Sequence, residues 1–128
     1  MRSLYELSAG EAANAIKQKE ISSTELVSAC LERIQSRDDE IKAWQHVDFE
    51  GALAAAKGAD NTDATGLLHG VPVAIKDIID TADMPTTYGS KAYADHQPTD
   101  NAACVSLLRE HGAVIIGKTV TTDCLLYT

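Results

Sequence analysis

The sequence predicts an α/β fold in which helices pack on a mixed β-sheet, and three observations support this class. Two serine-led capping boxes lie in the first 25 residues, and each is followed by apolar residues at helical spacing. Two short apolar runs, 71–75 and 113–116, have the length and composition of buried strands. The predicted order of helices, strand, helix, strand, loop, helix and strand fits an α/β or an α+β domain.

Two helices are predicted in the first forty residues. Ser8 and Glu11 form a capping box that begins a helix ending at about residue 17 or 18. A second box, 22–25, begins a longer helix with apolar residues at positions i, i+3, i+4 and i+7. We expect this helix to end near Arg37, because the acidic cluster 38–40 is unfavourable at a helix C-terminus.

Another strand and helix precede the first apolar run. Residues 41–47 alternate in a pattern typical of a half-buried strand. The alanine-rich segment 49–59 predicts a helix with Asp48 as its N-cap. Pro72 lacks an amide donor, so the strand over 71–75 should begin at or just after it, or lie at a sheet edge.

The last elements are a helix and a strand. Residues 91–98 predict a loop with a short helical turn. Asp100 or Asn101 can cap a helix that runs to about residue 111 and ends at Gly112. The second apolar run, 113–116, should form a buried strand closed by a glycine.

Composition and charge restrict the class of protein. The chain has 128 residues, 45% of them hydrophobic and 23% charged, which fits one globular domain. Its net charge of −8 and its lack of basic runs argue against direct nucleic-acid binding. No stretch has the length of a membrane span or resembles an export signal, and the three cysteines match no metal or redox motif. We therefore expect a soluble cytoplasmic protein that does not bind membranes.

Lys76 is the candidate catalytic residue, because it directly follows the apolar run 71–75. An ammonium shielded at the end of a buried strand is desolvated, which lowers its pKa and lets the neutral amine accept a proton. The alternative interpretation is a solvated loop lysine with Asp77 as its ion-pair partner.

Other motifs carry weaker hypotheses. Residues 112–119, GAVIIGKT, satisfy the phosphate-loop expression, but β-branched residues favour a strand over a loop wrapped around an anion. Asp77, Asp80 and Asp83 lack the spacing of a calcium loop, so solvated loop acids are the preferred interpretation. No metal site and no cofactor are predicted.

The combination of GLLHGVPVAIKD, TTYGS and GAVIIGKT resembles the amidase signature family over nearly the whole chain. Its members include general amidases, indoleacetamide-type hydrolases and the A subunit of tRNA-dependent amidotransferases. The resemblance implies the N-terminal part of an amidase-signature fold, with Lys76 as the catalytic lysine. It also implies a set of supporting site residues: Gly70, Asp77, Thr86, Thr87, Gly89 and Ser90.

The resemblance further implies amide hydrolysis by a Ser–cis-Ser–Lys triad acting on a small carboxamide. Both family serines lie downstream of the lysine, and nothing in this sequence matches their loop. After Thr119 the residues no longer match the family pattern. A truncation, a frameshift or a gene fragment would produce such a departure. We expect residues 1–128 to form a single, incomplete domain that is inactive alone, with a missing C-terminal portion or a second copy as its partner.

Two further functions stay open at this point. A non-catalytic pseudoenzyme or interaction module would retain the fold without the reaction. An A-subunit fragment of a tRNA-dependent amidotransferase would share the N-terminal LYELSAGE pattern. Nucleotide binding is the weakest alternative.

Overall fold

A computed structural model describes residues 2–122, which form helices around a three-stranded sheet. The strands are β1 (Trp44–Val47), β2 (Pro72–Lys76) and β3 (Val114–Thr119), in the order β1-β3-β2. The central strand β3 pairs antiparallel with β1 and parallel with β2. The predicted mixed sheet is therefore confirmed.

Four α-helices surround this sheet: α1 (Ala9–Lys17), α2 (Ser23–Ile41), α3 (Phe49–Asp60) and α4 (Ala103–Glu110). Short 3-10 turns lie at Leu4–Glu6 and Lys91–Tyr93, and the second confirms the helical turn predicted in that loop. Among residues 2–122, no helix combines the length and apolar composition needed to cross a bilayer.

Both predicted capping boxes form. The Ser8 amide donates to Glu11 Oε2 at 2.7 Å, and the Glu11 amide donates to Ser8 Oγ at 3.3 Å. The box at Ser22 and Glu25 has the same pair of bonds, at 2.8 and 3.0 Å. Each box satisfies amides that the first helical turn leaves without partners.

Helix α2 ends four residues later than expected, at Ile41 instead of Arg37. The acidic cluster does not end the helix, because Asp38 accepts hydrogen bonds from backbone amides where the chain leaves the helix. Its carbonyl accepts from the amide of Lys42, which has a φ of 59°, and its Oδ1 accepts from the amide of Ala43 at 2.7 Å. The longer helix takes up residues predicted to be strand, so β1 begins only at Trp44.

The predicted cap of α4 is wrong. Ala102 occupies the N-cap position without a side-chain hydrogen bond. The Asn101 side chain accepts from the Ala82 amide at 2.8 Å and so ties the loop before the helix to another part of the chain. The predicted end is confirmed, because Gly112 follows the helix with a φ of +85°.

Strand β3 continues through Gly117 to Thr119, beyond its predicted end. Gly117 permits this, since a Cβ there would lie 2.3 Å from the carbonyl oxygen of His46 on the neighbouring strand. Most of the segment 112–119 is thus extended strand, as its β-branched residues indicated. It does not form a phosphate-binding loop, because a strand paired on both sides cannot wrap its amides around an anion.

The two faces of β3 carry separate parts of the core. On one face, Val114 and Ile116 pack against α2 and α3. On the other face, Ile115 packs with Ile75 of β2, Met84 of the following loop and Val105 of α4. This second cluster supports the loop that follows β2.

Strand β2 begins at Pro72 and has only one neighbour within the described part of the chain, so both forms of the prediction for this proline are confirmed. The prediction of a buried strand is wrong, since Ile75 is the only fully buried residue of the five. The buried strand is β3, because it alone among the three has a neighbour on each side.

Candidate functional site

Lys76 is the last residue of β2, and its side chain is exposed. Its carbonyl accepts from the Ile79 amide at 3.0 Å, which turns the chain away from the sheet. Within residues 2–122, the Lys76 ammonium has no hydrogen-bond or ion-pair partner. The expected shielding of this lysine is therefore not present among residues 2–122, where its side chain is exposed.

Asp77, the next residue, is buried, with only 1% of its surface exposed. Its Oδ1 lies 3.3 Å from the Nζ of Lys118, close enough for an ion pair but without the alignment of a hydrogen bond. Its Oδ2 accepts from the amide of Thr87 at 3.2 Å and from the hydroxyl of the same residue. The interpretation of Asp77 as a solvated acid or as the partner of Lys76 is wrong, because β3 supplies its cation.

Lys118 is the buried lysine of this region, with no measurable exposure. Its ammonium donates to Thr86 Oγ1 at 2.6 Å and to the carbonyl oxygen of Pro85 at 3.3 Å. Burial lowers the pKa of Lys118, and the neighbouring Asp77 opposes that shift. The buried ammonium of Lys118 is thus held by its contacts with the loop after β2.

A change of register places Lys118 on this face. Val73 pairs with Ile115, but the next residue of β2, Ala74, pairs with Gly117, so β3 holds one extra residue. A bulge of this kind moves the following side chains to the other face. Lys118 consequently shares a face with Ile115, three residues earlier, although strict alternation would place these residues on opposite faces.

The predicted hydroxyl residues of the loop are already engaged. Thr86 accepts from Lys118, and Thr87 donates to Asp77. Ser90 accepts from the Ala92 amide at 3.3 Å and caps the short turn that follows. All three hold the loop in shape.

Of the two glycines predicted as supporting site residues, one lies in this loop and the other lies away from it. Gly89 lies in the same loop with a φ of +71°, and a Cβ there would be 2.5 Å from the carbonyl oxygen of Thr122. Gly70 lies before the opposite end of β2, six residues or about 20 Å of extended chain from Lys76. Its carbonyl accepts from the hydroxyl of Ser23 at 2.7 Å, so it packs β2 against α2 and is not brought to Lys76.

A cleft of about 730 Å³ lies elsewhere, between the α1–α2 connection and the C-terminal end of α3. Asp60 and His69 are in its lining, and Lys76 is not. Asp60 accepts from the amides of Ser23 and Thr24 at 2.7 and 3.0 Å and so acts as a cap for α2. In the described range 2–122, no three His, Cys, Asp or Glu side chains are grouped to hold a metal ion.

Comparison with known proteins places this arrangement in a family. The sequence profile described as Amidase matches residues 25–128. The chain belongs to the amidase family. Helices packed on a small mixed sheet are thus a fold that this chain shares with solved amidase structures.

The relatives of this amidase-family chain are much longer than it is. The A subunit of the glutamyl-tRNA(Gln) amidotransferase from Salinispora tropica is 44% identical over 123 residues, which cover 93% of this chain and 25% of that protein. The crystal structure of native peptide amidase from Stenotrophomonas maltophilia has a TM-score of 0.82 at 34% identity and covers 89% of this chain and 24% of that one. A fatty acid amide hydrolase has a TM-score of 0.88 at 26% identity, covering 96% and 22%. The chain spans about a quarter of the length of the curated relatives it matches.

The residue that sequence reasoning missed in this amidase-family chain is Lys118. One signal was present, since Lys118 lies one glycine beyond the apolar run 113–116, much as Lys76 follows the run 71–75. Its burial depends on the bulge in β3 and on Asp77 from a distant part of the chain, and neither has a local pattern.

Proposed function

We propose that this chain supplies the lysine of an amide hydrolase of the Ser–cis-Ser–Lys type, and that Lys76 is this lysine. The observation that carries the proposal is the position of Lys76: it ends the parallel strand β2, with an ammonium that has no partner among the described residues. The other lysine at this end of the sheet, Lys118, is bound to Thr86 and Asp77 and cannot serve.

The chemistry needs a neutral amine. Lys76 would take a proton from a bridging serine, which would take the proton of a nucleophilic serine as it attacks the amide carbonyl. The C–N bond then breaks, ammonia or an amine leaves with a proton, and water hydrolyses the acyl-enzyme. Backbone amides would stabilise the oxyanion in both steps.

The exposure of Lys76 in this chain has a consequence for that mechanism. A lysine acts as a general base only where its surroundings shield it from water, and the described residues leave Lys76 exposed. Protein that is not part of these 128 residues would have to cover Lys76 and supply both serines. We therefore expect the chain alone to release no ammonia from simple amides above the level of a Lys76→Met control.

A fusion protein tests the proposal directly. Residues 1–122 would replace the matching segment of the Stenotrophomonas maltophilia peptide amidase, and hydrolysis of a peptide amide would be followed by ammonia release. We expect turnover that Lys76→Met reduces by at least about a thousandfold, while Lys91→Met, on an exposed turn, leaves it unchanged. A fusion that melts cooperatively but shows no turnover contradicts the proposal and favours a non-catalytic module.

A second candidate is the A subunit of a tRNA-dependent amidotransferase, favoured by 44% identity to the Salinispora protein of that name. Residues 1–122 would be fused in the same way to the remainder of that Salinispora protein. Conversion of glutamyl-tRNA(Gln) to its amide by the reconstituted complex supports this function. A fusion that assembles with the rest of the complex without forming the amide argues against it.

A further inference from the structure

We propose that Lys118 and Asp77 are a positioning pair, which fixes the loop 77–90 against the ends of β2 and β3 and thereby sets the direction in which Lys76 leaves the sheet. The catalytic part of this inference rests on the proposed function. The structural part stands on the contacts of the pair alone.

The pair joins three separate segments of the chain. Lys118 belongs to β3, and Asp77 directly follows β2. Both side chains contact residues 85–87, on the far side of the loop. Lys118 Nζ lies 2.6 Å from Thr86 Oγ1 and 3.3 Å from Asp77 Oδ1. Asp77 Oδ2 in turn accepts from both the amide and the hydroxyl of Thr87. Removal of the pair would therefore remove the side-chain contacts that hold residues 85–87 of the loop to the ends of both strands.

Asp77 also holds the backbone beside Lys76. The Asp77 amide donates to the carbonyl of Thr119 at 2.9 Å, and the Asp77 carbonyl accepts from the Tyr88 amide at 2.9 Å. Asp77 is thus bonded to β3 on one side and to the returning loop on the other. Because Lys76 is its immediate neighbour, the peptide plane between them cannot turn freely.

Stability alone does not account for a buried pair of this kind. Buried ion pairs can often be exchanged for apolar residues without loss of stability, because desolvation offsets their attraction. Removing one partner leaves a lone buried charge, whereas neutralising both does not. The double variant Asp77→Asn/Lys118→Met therefore separates positioning from stability.

Hydrogen exchange in the 128-residue chain itself tests the structural part. We expect the Tyr88 amide to exchange at least about tenfold faster in the double variant, while the amide of Ile115 in β3 keeps its rate. The matched control neutralises the exposed ion pair of Arg109 and Asp83, 2.7 Å apart, as Asp83→Asn/Arg109→Met, and should leave Tyr88 unchanged. Unchanged exchange at Tyr88 overturns the inference, and so does equal acceleration at Tyr88 and Ile115, which a purely stabilising pair would produce.

A second variant keeps the test decisive if the double variant does not fold. Thr87→Val removes the hydroxyl that donates to Asp77 and leaves both charges paired. It should accelerate exchange at Tyr88 several-fold without affecting Ile115. No acceleration at Tyr88 in this variant counts against the inference.

The catalytic part is measured in the peptide amidase fusion. We expect Asp77→Asn/Lys118→Met to lower kcat at least about tenfold with KM within about twofold, because a displaced Lys76 affects proton transfer more than binding. An active fusion whose kcat is unaffected by the double variant overturns the inference and leaves the proposed function intact. A folded but inactive parent fusion contradicts the proposed function, and the exchange experiment then decides the positioning role.

Discussion

Lys76 and Lys118 are one register position apart on neighbouring parallel strands and project from opposite faces of the sheet. Lys118 pairs with Ile75, whereas Lys76 pairs with Thr119. One ammonium is buried against an aspartate and a threonine, and the other is exposed. These two lysines, at the same end of the sheet, thus differ in their surroundings: one is held by contacts with the loop and the other faces solvent.

The contrast between these lysines should appear in stability. We expect Lys118→Met to lower the free energy of unfolding by about 3–5 kcal/mol, because it leaves the carboxylate of Asp77 buried without its cation. Lys76→Met should change it by less than about 0.5 kcal/mol. Urea denaturation of the two variants provides the comparison, and equal effects would show that the burial difference has no energetic consequence.

Packing of α2 against the sheet gives a second expectation. Leu31 is 4% exposed and lies in the cluster between α2, α3 and β3, so Leu31→Ala should cost about 2–5 kcal/mol. Leu107, on α4, is 56% exposed, and Leu107→Ala serves as the matched control with a change within about 0.5 kcal/mol. Chemical denaturation measures both, and a small loss for Leu31→Ala would contradict this core.

The two kinds of glycine should respond oppositely to alanine. Gly89 has a φ of +71° and a close carbonyl at Thr122, so Gly89→Ala should destabilise the fold by at least about 1–2 kcal/mol. Gly58 lies within α3 with nothing within 4 Å of an added Cβ, so Gly58→Ala should stabilise by about 1 kcal/mol. Thermal melts of both variants test the signs, and a neutral Gly89→Ala would argue against the loop conformation.

The capping box of Ser8 and Glu11 should make the stability of the fold depend on pH. Hydrogen bonds from the backbone amide and the hydroxyl of Ser8, and one from Arg2, lower the pKa of Glu11 to about 2. The folded pKa is below that of the unfolded chain, about 4.3, so the contribution is complete above that value and is lost as the pH falls towards 2. The melting temperature of the wild type should therefore exceed that of Glu11→Gln at pH 6, and the gap should close by about pH 2. A gap independent of pH would contradict the box.

The cysteines should differ in reactivity. Burial raises the pKa of the Cys30 thiol on α2, whereas Cys104 is exposed on α4. Since the thiolate is the reactive form, iodoacetamide at pH 7.5 should modify Cys104 at least several-fold faster than Cys30. Peptide mapping by mass spectrometry follows each site separately, including Cys124, which lies outside the described residues. Equal rates at Cys30 and Cys104 would indicate that α2 is not packed as described.

The sequence by itself determined the elements whose signals are local. Ser8 with Glu11 and Ser22 with Glu25 begin helices through bonds between residues three apart, and these boxes form as predicted. The alanine-rich helix with its Asp48 cap is likewise local, as is the glycine that follows α4. The family resemblance was also carried by short motifs, and the family profile confirms it.

Only the tertiary structure decided which lysine is buried and where the elements end. The end of α2 depends on how Asp38 meets the exit of the helix, and the length of β3 depends on the approach of β1 to Gly117. The burial of Lys118 needs an extra residue in one strand and a carboxylate forty-one positions earlier in the chain. These are contacts between distant residues, and such contacts have no period and no local motif, because their energy exists only once the strands have paired.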